Sequence, residues 1–168
     1  MMQIYLAASL KSEDIHVCQQ VEEACSEYEL NLFSPRKNGL IETMSTEERK
    51  RSSKSLFDDN ISQMNRSQIM LARVDLKDTG TLFEIGYFYR KGGAIVAFSE
   101  RPIERGINLM ISYACSLYAP SMESVQRLLS VMGDIGIRES TRLLNRPMRD
   151  PNDPPVFYEW FVQNDPDE

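Results

Sequence analysis

The sequence predicts a doubly wound α/β fold, with a mostly parallel five-stranded sheet held between two layers of helices. Three observations carry that expectation. Short, continuous apolar runs recur at residues 3–8, 69–74 and 94–98, the pattern of strands covered on both faces. Segments of helical periodicity lie between them, long enough for the right-handed crossovers that parallel neighbours require. No internal repeat or low-complexity block interrupts the alternation through residue 98.

The first strand, residues 3–8, turns at Ser9 into a helix with Ser12 as its N-cap candidate and Glu13 and Asp14 in its first turn. Ile15, Cys18, Val21, Cys25 and Tyr28 recur at helical spacing and form its buried face. Residues 30–33 give a short second strand stopped by Pro35, and residues 36–44 read as a loop that could cover a ligand. Ser45 and Glu48 form a capping box, so a long helix is expected from Thr46 to Arg66. The third strand, 69–74, leads through Asp78, Thr79 and Gly80 into a largely apolar helix that ends at Gly92 and Gly93. A fourth strand follows at 94–98, an apolar run resumes at 107–111, and a fifth short strand is expected at 115–118. Ser121 caps a last amphipathic helix through Val125, Leu128, Leu129 and Met132, and beyond Gly136 the periodicity weakens. These elements make residues 1–145 one α/β domain of flavodoxin/Rossmann-like, three-layer architecture. Residues 146–168, rich in proline and aspartate, form an extension expected to pack on the body or on a partner subunit.

Composition narrows the function classes. A net charge of −6 argues against affinity for a nucleic acid polymer or an anionic membrane. No apolar run reaches transmembrane length, and the N-terminus enters a strand with no signal-peptide pattern. Three cysteines at no ligand spacing and a single histidine, His16, make a structural zinc site or a Ser-His-Asp triad improbable. The expectation is a cytoplasmic protein with no metal and no cofactor.

In open α/β sheets, ligands bind at the carboxyl edge of the strands. The turns after the first and third strands, at Ala8 and Ser9 and at residues 75–80, both reach that edge. Tyr5, Ser9, Asn60, Asp78 and Glu84 should meet there, with Gly80 letting the chain pass close to a ligand. Two carboxylates, a phenol and an amide suit glycosyl chemistry, which needs a carboxylate on one face of an oxocarbenium-like sugar and a proton donor at the leaving group. A buried Glu84 could be the nucleophile and Asp78 an acid, base or sugar anchor, while Asp78 or Thr79 is also a candidate N-cap. The aromatics Phe83, Tyr87, Phe88 and Tyr89 are expected in the core or an interface.

Taken together, Ile4-Tyr5-Leu6-Ala7, Asn60-Ile61, the strand at 69–74, the D-x-G-x-x-x-E-x-G segment from Asp78 to Gly86, and Asn108-Leu109-Met110 resemble the nucleoside 2'-deoxyribosyltransferases. The resemblance implies that Glu84 attacks the anomeric carbon of a 2'-deoxynucleoside to form a covalent deoxyribosyl-enzyme, which a second nucleobase resolves with overall retention. It implies further that Tyr5 orients Glu84, that Asp78 holds the sugar, and that Asn108 reaches the site from a neighbouring subunit. The substrate-binding set is then Asn60, Ala8, Ser9, Gly80, Asn108 and Met110, in a homo-oligomer. Asn60 stands where many members carry aspartate, and asparagine cannot deliver a proton at neutral pH. Gln68 likewise stands where an acid is common. The alternatives are hydrolysis of a 2'-deoxynucleoside or its 5'-monophosphate, and non-catalytic nucleotide binding.

Overall fold

A computed structural model describes residues 2–11, 14–38, 45–76, 78–103 and 107–145, together with the two-residue strand Val156–Phe157. The elements in chain order are β1 (Ile4–Ala7), α1 (Ile15–Glu27), β2 (Leu32–Phe33), a 3-10 turn (Pro35–Asn38), α2 (Thr46–Arg66), β3 (Ile69–Arg73) and α3 (Thr79–Lys91). After these come β4 (Ala94–Phe98), α4 (Leu109–Ala114), β5 (Leu117–Ala119), α5 (Met122–Leu144) and β6 (Val156–Phe157). The strands order as β2-β1-β3-β4-β5-β6 and every pairing is parallel. The five expected strands are present, and β6 adds a sixth beside β5. The strand order reverses between β1 and β3, so the crevice of the sheet opens there.

Strand alternation sorts the side chains into two cores. Ile4, Leu6, Ile69, Leu71, Val96 and Phe98 face α1 and α5. Tyr5, Ala7, Met70, Ala72, Ile95 and Ala97 face Met64 of α2 and Ile85 and Phe88 of α3. Parallel register sets Tyr5 beside Met70 on one side and Phe33 on the other, which places its ring beneath α3. Full burial of each large aliphatic or aromatic side chain stabilises by about 1.5–3 kcal/mol. These strands therefore anchor whatever the loops at their ends carry.

The capping box of α2 forms as expected: Ser45 N–H donates to Glu48 at 2.9 Å and Glu48 N–H donates to Ser45 Oγ at 3.3 Å. Helix α3 stops at Gly92, whose φ of 78° is the left-handed conformation that glycine accepts at no steric cost. At Gly93 a Cβ would lie 2.2 Å from the Phe88 ring, so any larger residue there would have to displace that buried ring.

Several expectations need correction. Helix α1 starts at Ile15 with Asp14 at its N-cap position, not with acids in its first turn. The Asp14 carboxylate makes no capping bond because it faces Arg73, at 3.5 Å; Ser12 and Glu13 lie outside the described residues. The apolar run at 107–111, to which the sequence assigned no element, opens a short helix, α4, whose N-terminus the Asn108 side chain caps by accepting from Met110 N–H at 2.9 Å. Helix α5 continues past Gly136 to Leu144; a kink at Gly136 (φ 79°, ψ 156°) resets the buried face, which is why the apolar period fades there. Of the four α3 aromatics expected in the core or an interface, Phe88 is core and Tyr87 packs partly buried against it, while Phe83 and Tyr89 are more than half exposed. Of the expected covering loop, residues 36–38 fall in the 3-10 turn Pro35–Asn38. Residues 39–44, and the extension apart from Val156 and Phe157, lie outside the described residues.

Candidate active site

Tyr5, from β1, and Glu84, from α3, meet on the α2/α3 face of the sheet. The Tyr5 ring is fully buried and stacks on Phe33 with centroids 5.5 Å apart. Its hydroxyl donates to Glu84 Oε1 at 2.6 Å, the short distance of a charge-assisted bond. Glu84 reaches it because α3 buries Thr81, Ile85 and Phe88 against the sheet, which turns the intervening side of the helix toward β1. Burial is the main cause that pushes the Glu84 carboxyl up to about 7; the Tyr5 hydrogen bond opposes that rise and the Asp78 charge adds to it. At neutral pH such a group is divided between acid and carboxylate. The Tyr5 hydroxyl is raised well above its ordinary value by burial first, then by the Glu84 charge and hydrogen bond, and last by Asp59. It therefore stays a donor throughout the physiological range.

Asp78 is the N-cap of α3. Its Oδ2 accepts from Thr81 N–H at 2.8 Å and from Thr81 Oγ1 at 2.9 Å. Gly80 makes room for this: a Cβ there would come within 3.2 Å of Asp78 Oδ2. The cap reading of Asp78 is thus correct, and both cap bonds fall on a single carboxylate oxygen.

The other expected residues are placed less directly. Ala8 is partly buried and packs with the α1-side core. Ser9 is buried, and its Oγ accepts from Lys11 N–H at 3.4 Å within its own turn. Asn60 is partly buried on α2. Asn108 and Met110 are exposed on α4, and among the described residues no hydrogen bond joins either to Glu84. Sequence reasoning passed over Asp59, next to Asn60, although its charge reaches Tyr5; a carboxylate in the most charged helix reads as solvated surface. Gln68 is spent on the backbone, accepting from Gln3 N–H at 2.8 Å and donating to Arg66 O at 2.6 Å.

Among the described residues no group of three His, Cys, Asp or Glu side chains could hold a metal ion. The three cysteines are buried as free thiols. No helix among the described residues is long and apolar enough to cross a membrane. Two clefts, one lined by Asn65, Lys91 and Thr141 and one by Tyr28, Gly133 and Ile137, lie toward the amino edge of the sheet, away from Glu84.

Fold and site together define an α/β protein with a phenol-held carboxylate at the switch edge of a parallel sheet. The family model for nucleoside 2-deoxyribosyltransferase matches residues 4–129, and the chain belongs to that family. Among solved structures it resembles a 2-deoxyribosyltransferase from Bacillus psychrosaccharolyticus, described as a biocatalyst for nucleoside synthesis. That match has 28% identity and a TM-score of 0.57 and covers 74% of this chain and 90% of the other. A 2-desoxiribosyltransferase from Leishmania mexicana matches at 17% identity and a TM-score of 0.46, covering 69% of this chain and 73% of the other. No match was found among curated proteins.

Proposed function

We propose that this protein transfers 2'-deoxyribose from one nucleobase to another through a covalent intermediate on Glu84. Tyr5 binds one oxygen of Glu84, leaving the other to attack the anomeric carbon as the N-glycosidic bond breaks. The bonding pair departs with the base, which takes up a proton. A second base then displaces the carboxylate from the same carbon, so two inversions give net retention. The observation that carries this reading is the 2.6 Å bond from a buried phenol to a carboxyl raised to about 7.

Asp78 anchors the sugar with the oxygen that does not cap α3. Asn60 contacts the base by hydrogen bonding and leaves protonation to another donor. Ala8, Ser9 and Gly80 line the approach along the carboxyl edge. Asn108 and Met110 complete the site from a neighbouring subunit of a cytoplasmic homo-oligomer; Leu109, Met110 and Tyr113, each more than 60% exposed on one six-residue helix, supply an apolar surface for that contact. A nucleoside is favoured over its 5'-monophosphate because the Asp78 carboxylate already occupies the first turn of α3, where a phosphate would otherwise sit.

The test is chromatography of products from each 2'-deoxynucleoside, alone and with a second base, beside Glu84→Ala. A new deoxynucleoside that needs both substrates and vanishes in the variant supports transfer. Free base without exchange would make the protein a hydrolase, and ligand-induced stabilisation without turnover would make it a binding protein.

A further inference from the structure

On the opposite face of β3 from Tyr5 lies a charge cluster that the chemistry above does not use. Arg73, the last residue of β3, is buried with 4% of its side chain exposed. Its Nε donates to Asp75 Oδ1 at 2.7 Å, its Nη2 to Glu100 Oε2 at 3.1 Å and its Nη1 to Asp14 Oδ1 at 3.5 Å. Asp75 Oδ2 also accepts from Glu100 N–H at 3.1 Å, and Glu100 Oε1 meets His16 Nε2 at 3.2 Å. The three carboxylates come from three separate connections at the carboxyl edge: between β1 and α1, between β3 and α3, and after β4.

We propose that Arg73 is a positioning residue for the active site: its guanidinium, locked on Asp75 and Glu100, holds the connection between β3 and α3 in the path that seats Asp78 on the N-terminus of α3. This rests on the deoxyribosyl-transfer reading only for its effect on rate.

Three features support it. Asp75 stands three residues before Asp78, and two groups fix it at once, the Arg73 fork and the Glu100 amide. A burial of this kind is disfavoured for an isolated charge and is retained only with full pairing. At α1, moreover, Asp14 occupies the N-cap position without capping and turns to Arg73 instead. The cluster thus takes a carboxylate from a helix end that could have used it, and the rigid planar fork directs a separate N–H at each of three acids, which the compact ammonium of lysine cannot do at this spread.

The test is Arg73→Lys, which keeps the charge and removes the fork, read by carboxyl carbon NMR titration of Glu84. The Asp78 charge acts to raise the Glu84 midpoint, so losing its placement should lower that midpoint, as Asp78→Asn should by itself, and combining the two substitutions should add nothing further. Turnover should fall on the order of ten- to a hundred-fold, the usual consequence of a misplaced site. Should Arg73→Lys fail to fold, Glu100→Asp at the cluster's rim keeps the charge, shortens the reach and should move the midpoint the same way by less. A lowered melting temperature with the Glu84 midpoint and turnover unchanged overturns the proposal, as do additive shifts in the double variant. A midpoint that moves in a protein without any transferase turnover would leave Arg73 in its role and refute the transfer reading alone.

Discussion

Replacing Tyr5 by phenylalanine removes one hydroxyl from the centre of the site, and its effect can be worked from the geometry. The lost bond, 2.6 Å to Glu84 Oε1, stabilises the carboxylate over the acid. A hydrogen bond to a charged group contributes about 1.5–3 kcal/mol, and 1.36 kcal/mol corresponds to one pH unit, so the Glu84 midpoint should rise by roughly one to two units. Glu84 starts at about 7, where about half of it is ionised at neutral pH; a midpoint of about 8 to 9 leaves roughly a tenth to a hundredth ionised. Turnover at pH 7 should therefore fall about five- to fifty-fold and recover as the pH is raised toward 9. The assay is the pH profile of kcat/KM for base exchange, wild type beside Tyr5→Phe, with the acid limb fitted in each. A limb that stays in place while the rate drops equally at every pH would refute the reasoning: Tyr5 would then shape the pocket without tuning Glu84.

Glu84→Gln should abolish exchange and also stabilise the fold. The folded carboxyl sits near 7 against an ordinary 4.5. A raised carboxyl leaves stability intact below the ordinary value and erodes it as the pH rises to 7, so the glutamine variant should gain up to about 3 kcal/mol above pH 7 and nothing below pH 4. Denaturant melts at both pH values check the sign, and a variant less stable at pH 8 would contradict it. For the subunit contact, Met110→Asp should lower solution mass and activity together, as scattering and exchange assays on one preparation would reveal. Mixing the inactive Glu84→Gln and Asn108→Ala proteins should restore part of the activity, and no recovery after subunit exchange would place Asn108 outside the neighbour's site.

Much of the architecture is legible because parallel strands covered on both faces leave an unmistakable apolar run, as at Ile69–Arg73 and Ala94–Phe98. Local capping chemistry is equally readable, since Ser45 and Asp78 satisfy backbone donors within three residues of themselves. The pairing of Tyr5 with Glu84 could be anticipated from the edge rule and the motif, but not its geometry. What stayed hidden depends on distance in the chain or on solvent. The exposure of Leu109 and Tyr113 beside Met110 is one example, since an apolar run does not announce that a six-residue helix capped by Asn108 turns it outward. Arg73 vanished into an apolar run because its partners Asp14, Asp75 and Glu100 arrive from three loops. Asp59 was lost among the charges of α2, where nothing local separates a carboxylate that senses Tyr5 from one that senses only water.

The separation of Tyr5 and Glu84 by 79 residues has a kinetic consequence. Joining them requires β1 to pair with β3 across the α1, β2 and α2 segments, a long-range closure whose entropy must be met before the contacts that reward it exist. No early, locally folded fragment can hold the phenol against the carboxylate. Competence for chemistry therefore arrives with the last cooperative step of folding, and catalytic recovery after dilution from denaturant should track burial of the central strands, not the earlier formation of helices.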